Sequence, residues 1–169
     1  MMAYILGRPE TDLLGEKAVL PGYSLGIQHL EQTPDKPSPK LPKSTSVQDL
    51  LRKNWGDNFR SYALFPNPLG KVSGMLWSLN SKDLGLIRHW ELVNYGWYEE
   101  IKVSVKTQDG KKHQATTVRI QKGQDLEQII DDDQYRAWLQ EQELYKIATS
   151  KSRLDFYQNQ KRSNSSVQD

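Results

Sequence analysis

The chain has 169 residues, 36% hydrophobic and 26% charged, with no cysteine and a formal net charge of +2. That length suits one domain with a real core, and the lack of cysteine excludes disulfides, thiolate metal sites and a catalytic thiol. Near the C-terminus Lys151, Arg153, Lys161 and Arg162 outnumber Asp155 and Asp169 by the same two charges, so the rest is balanced and offers no basic excess to a nucleic-acid backbone.

No stretch approaches the roughly 20 apolar residues of a membrane helix. Residues 1–6 are apolar but lack a basic flank, so they do not read as a signal peptide. The expectation is a cytoplasmic protein with no membrane span and no nucleic-acid partner.

In chain order, Ala3-Tyr4-Ile5-Leu6 reads as a buried strand that turns at Gly7-Arg8-Pro9. Residues 13–20 end at a second turn, Pro21-Gly22, and Tyr23 to Ile27 alternate as a half-buried strand. Residues 33–46 hold Pro34, Pro37, Pro39 and Pro42, which excludes a helix or an inner strand and leaves a long surface loop. Val47 to Trp55 reads as a helix with Ser46 as N-cap and Asp49 closing a capping box.

Tyr62 to Phe65 is a strand broken by Pro66-Asn67-Pro68-Leu69-Gly70, and Lys71 to Leu79 resumes it, with Gly74 marking a bulge or a close backbone approach. Ser81 caps a helix through Glu91 that places Leu84, Ile87 and Glu91 on one face. Trp97 to Lys106 alternates, with Ile101, Val103 and Val105 on one side. Asp109-Gly110 turns it into a return strand, Lys112 to Ile120. Residues 124–149 read as helical, interrupted near Asp131-Asp132-Asp133, and residues 158–169 read as a disordered tail.

Little of the usual chemistry is present. His29, His89 and His113 form no metal-ligand spacing, and no Walker loop, dinucleotide glycine motif or nucleophile elbow occurs. No cofactor and no metal are expected. Glu91 stands out because it lies between Trp90 and Leu92-Val93 on an apolar helix face. Two readings stay open: a helix-terminal carboxylate that reaches solvent, or one held against apolar walls with its pKa raised toward the range of a general base.

The order of these segments resembles the γ-glutamylcyclotransferase-like, or AIG2-like, superfamily. Tyr4-Ile5-Leu6-Gly7-Arg8 is similar to the family's first strand and loop. Leu14-Gly15-Glu16-Lys17-Ala18-Val19-Leu20-Pro21-Gly22-Tyr23-Ser24-Leu25 is similar to its second motif, and Val72-Ser73-Gly74-Met75-Leu76-Trp77-Ser78-Leu79 to its third. Ile87-Arg88-His89-Trp90-Glu91-Leu92 resembles the helix end bearing the family's catalytic Glu, and Tyr98 the Tyr before the alternating strand. Leu6 and Arg8 stand where the family has Tyr and Ser, Arg88 where it has Asp, and Leu92 where it has Gly.

The resemblance implies an α+β fold: a small mixed β-barrel with flanking helices over residues 1–122, carrying the Pro-rich loop 33–46. A C-terminal helical extension, 123–157, and the tail, 158–169, follow. It implies intramolecular cyclisation of a γ-glutamyl amine or peptide to 5-oxoproline, with Glu91 as general acid/base and Leu6, Gly7, Arg8 and Tyr98 as substrate-binding residues. The alternative is a catalytically inactive AIG2-like domain that docks on a protein partner through 33–46 or the C-terminal extension.

Overall fold

A computed structural model describes residues 2–41, 45–121, 126 and 132–142. The expected tail, and most of the expected C-terminal extension, lie outside the described residues. The architecture is α+β: a four-stranded antiparallel sheet with flanking helices.

The first element is a helix, α1 (Met2–Leu6), and not the expected strand. Ala3 and Leu6, three apart, share its buried side. Gly7 ends it in the left-handed region (φ 60°). The Gly7 amide then donates to the Tyr4 carbonyl (3.3 Å) and the Arg8 amide to the Ala3 carbonyl (3.2 Å). This is the paired bonding of a Schellman cap, for which a glycine at this position is suited. The glycine read as a loop turn is therefore a helix stop.

Strand β1 (Gly15–His29) runs straight through the expected turn at Pro21-Gly22. Strand β2 (Arg60–Trp77) likewise continues through Pro66–Gly70. The two pair from Gly15↔Trp77 to His29↔Arg60, with one register shift between Pro21 and Tyr23. The prolines and glycines of both segments thus form a bulge inside one long ribbon, where missing N–H groups are tolerated. Leu69 at its tip is 97% exposed. Gly74 lies in regular register opposite Ala18, with open space where a Cβ would sit, so it marks neither a bulge nor a close approach.

Helix α2 (Val47–Trp55) starts as expected: Ser46 Oγ accepts from the Asp49 amide (3.0 Å), and the Asp49 carboxylate reaches back to Ser46. Helix α3 (Ser81–Trp90) is capped by Asn80 and not by Ser81, with Asp83 completing its capping box. Strands β3 (Tyr98–Thr107) and β4 (Lys112–Ile120) form the expected hairpin, turning at Gly110 (φ 84°). Helix α4 (Asp132–Glu141) is the described part of the helical region expected after residue 123.

The strand order is β2-β1-β3-β4. The β1–β3 ladder is confined to Ala18↔Thr107 and Val19↔Lys106, so the sheet is two ribbons joined at one corner. The outer strands β2 and β4 approach one another without pairing, and the expected barrel is not closed among the described residues. One apolar cluster, including Leu30, Val47, Leu51, Phe59, Trp97 and Ile120, packs α2 against the ribbons. A smaller one, Ala18, Val103 and Val105, fills the corner. Val103 and Val105 face inward together, as their alternation predicts.

Candidate active site

A cavity of about 620 Å³ lies between the two ribbons and α3. Its wall is mostly aliphatic, with Leu20, Leu25, Leu64 and Leu76 from one ribbon, Val103, Val105 and Val118 from the other, and Leu84 and Ile87 from α3. The charged groups on the wall are Arg88, Glu91 and Glu100.

Glu91 reaches this wall because α3 ends there. It is the C-cap, and its amide closes the last turn onto the Ile87 carbonyl at 2.8 Å. Leu84, Ile87 and Glu91 all line the cavity, the common face that their spacing predicts. Leu92 then adopts the left-handed conformation (φ 50°, ψ 32°), which side chains with a Cβ rarely take. Burial of its side chain, 7% exposed, holds the chain in that turn. This is the position where the resembled family has glycine.

Burial raises the Glu91 carboxyl to about 7. The cause is loss of hydration against the aliphatic wall. The carbonyl end of α3 gives a carboxylate no relief, since it carries partial negative charge. Among the described residues no cation or hydrogen-bond donor pairs with this carboxyl. Such a group exchanges a proton near neutral pH, which is what a general acid/base needs.

Tyr98 lines the same cavity and is 4% exposed. Its hydroxyl lies 2.9 Å from Ser61 Oγ and donates a long bond, 3.4 Å, to the Tyr62 carbonyl. Its ring stacks on Trp97, whose indole N–H donates to the buried Gln28 side chain at 3.0 Å. Glu91 and Tyr98, seven residues apart in the chain, both line this cavity.

The other three expected site residues are placed differently. Leu6 is buried, and neither it, Gly7 nor Arg8 is among the lining residues, although Met2 is. The amides of Gly7 and Arg8 are engaged in the α1 cap. The Arg8 guanidinium pairs with Asp83 at 2.7 Å, fastening the end of α1 to the first turn of α3. Tyr4 adds an edge contact to Trp90 (5.3 Å).

Two further charged residues of the wall, Arg88 and Glu100, are not among the site residues that the sequence suggests. Arg88 Nε and an Nη donate to the two Glu100 oxygens at 2.6 and 2.8 Å. The available signal was the spacing of Arg88 three residues before Glu91, which puts both on one helix face. Among the described residues no group of three or more His, Asp or Glu is placed to hold a metal ion, and no helix is long and apolar enough to cross a membrane.

The comparison with family models finds one match, in the second half of the chain. Residues 71–149 match the AIG2-like family. The matched segment runs from the end of β2 through α3, β3 and β4 and contains both Glu91 and Tyr98. It agrees with the resemblance drawn from the motifs. Among solved structures the chain is similar to a gamma-glutamyl cyclotransferase at 20% identity, covering 66% of this chain and 55% of that one, with a TM-score of 0.48. It is similar to an uncharacterized protein from Homo sapiens at 19% identity, covering 71% and 62%, with a TM-score of 0.47. A protein from Arabidopsis thaliana, known in solution, shares 18% identity over 80% of this chain and 64% of that one, with a TM-score of 0.45. The chain thus spans only 55% and 62% of the first two structures. Comparison with curated protein sequences finds no match.

Proposed function

We propose that the AIG2-like segment is the catalytic part of a γ-glutamylcyclotransferase-like enzyme that releases an amine from a γ-glutamyl amide and forms 5-oxoproline. The observation that carries this reading is Glu91: a carboxyl on the wall of an apolar cavity, shifted to about 7 and free of a described cation.

In this reading the Glu91 carboxylate accepts a proton from the substrate α-ammonium group, whose ordinary pKa is about 8. The freed amine attacks the γ-carbonyl carbon and closes a five-membered ring. The carbonyl oxygen becomes an oxyanion, and Tyr98 exchanges its long bond to the Tyr62 carbonyl for one to that oxygen. Glu91 returns the proton to the leaving nitrogen as the amide C–N bond breaks, and the ring nitrogen gives up its remaining extra proton to the departing amine, so the products are 5-oxoproline and the amine in its ammonium form. Nucleophile and electrophile belong to one molecule, so the cavity's main task is to hold the substrate folded. Leu6, Gly7 and Arg8 take no part in this reading, because their described positions spend the amides on the α1 cap and the guanidinium on Asp83.

Incubation with a γ-glutamyl amide, followed by assay of 5-oxoproline and free amine, tests the reading. The wild-type chain should release both in equal amounts, and Glu91→Gln should be slower by about 10²–10⁴-fold, the usual contribution of a general acid/base. Release at the wild-type rate by Glu91→Gln would remove Glu91 from the reaction.

A further inference from the structure

Among the described residues lining the cavity, Arg88 is the single cation. It lies on α3 three residues before Glu91, so the two side chains leave adjacent points on one face. Its guanidinium is held fork to fork by Glu100, with both donor–acceptor distances under 3 Å. That bidentate arrangement is how arginine recognises any carboxylate. Glu100 comes from β3 two residues after Tyr98, so it stands on the Tyr98 side of the strand. Neither partner is sealed from water: the side chains of Arg88 and Glu100 are 42% and 29% exposed. An ion pair open to water is open to competing anions too, and a ligand carboxylate can take the place of Glu100 in the fork.

We infer that Arg88 is the carboxylate anchor of the cavity, and that Glu100 occupies its guanidinium fork until an anionic ligand displaces it. The ligand class follows from the lining. A carboxylate head binds at Arg88 beside Glu91, and an apolar amine portion lies against Leu84, Ile87, Leu76 and Val103. The identity of the head as a γ-glutamyl group rests on the cyclotransferase reading above; the anchoring of a carboxylate by Arg88 does not.

The test compares two probes that differ in one group: γ-glutamyl-p-nitroanilide and 4-aminobutyryl-p-nitroanilide, which lacks the α-carboxylate. Both can cyclise and release the same coloured amine. With the anchor in place, Arg88→Gln raises KM for the first probe by about 10–100-fold, the usual effect of losing a charged hydrogen-bond pair. It leaves KM for the second unchanged, and Arg88→Lys falls between because its ammonium lacks the fork. Glu100→Gln, which frees the fork, lowers KM for the first probe, with the change falling on KM more than on kcat. A pair that only ties α3 to β3 would instead lower the thermal midpoint in both variants and leave the KM ratio of the two probes at its wild-type value. That result overturns the inference.

Binding of both probes to Glu91→Gln, followed by calorimetry, separates this inference from the reaction. Preference for the carboxylate probe that disappears in Glu91→Gln/Arg88→Gln supports the anchor even if no turnover is seen. Equal binding of both probes, or binding of neither, overturns it even if turnover is robust.

Discussion

Glu91 shows how a residue acquires a chemistry that its type alone does not give. A glutamate in water titrates near 4.3 and is a poor base at neutral pH. Here the end of α3 delivers it to an aliphatic wall, and the left-handed turn at Leu92 keeps it there. Its folded-state pKa of about 7 lies above the ordinary value of 4.5, so the folded chain holds this proton more tightly than the unfolded chain. The sign follows: the associated stability is fully present below about pH 4.5 and is lost as pH rises through about 7. The loss is on the order of 3 kcal/mol. Glu91→Gln, which cannot ionise, should therefore match the wild type in urea unfolding near pH 4 and exceed it near pH 8. Parallel curves at both pH values would mean that Glu91 is as well solvated folded as unfolded.

At the scale of elements, local chemistry was legible where a side chain answers a backbone need. Ser46 and Asp49 announce α2, and Asp109-Gly110 announces the β3–β4 hairpin, because capping and turn geometry select those residues. Alternation placed Val103 and Val105 inward. The failures have a common cause: Gly and Pro mark departures from regular backbone without saying which departure. Gly7 reads as a loop turn in the sequence and is a helix stop in the fold. Pro21-Gly22 and Pro66–Gly70 read as chain breaks in the sequence and form one bulge, because the two segments face each other across a ladder that sequence does not reveal. Two glycines of β2 test this account. A Cβ on Gly70 would collide with the Tyr23 carbonyl, whereas one on Gly74 meets open space. Gly70→Ala should cost about 1–3 kcal/mol, as overpacking does. Gly74→Ala should be neutral or stabilising by up to about 1 kcal/mol, since alanine costs a strand less entropy. Equal effects of the two in denaturant unfolding would contradict the bulge.

At the scale of the whole molecule, the site depends on a sheet that is not closed among the described residues. The α2-side cluster and the corner cluster fix the two ribbons at separate places, and the pairing of β1 with β3 is short. The space left between the ribbons is the cavity, and α3, fastened to α1 by Arg8 and Asp83, brings Glu91 to its wall. The α+β class and the pairing of Glu91 with Tyr98 were open to sequence reasoning through motif order. The gap between the ribbons among the described residues and the Arg88–Glu100 pair were not, because both arise from contacts between separate elements. The most direct test of the central claim is the pH dependence of kcat/KM for a γ-glutamyl amide. It should rise through an acid limb near pH 7 that disappears in Glu91→Gln; a limb near the ordinary carboxylate value of about 4.3, or one that persists in the variant, would contradict the assignment of Glu91 as the acid/base.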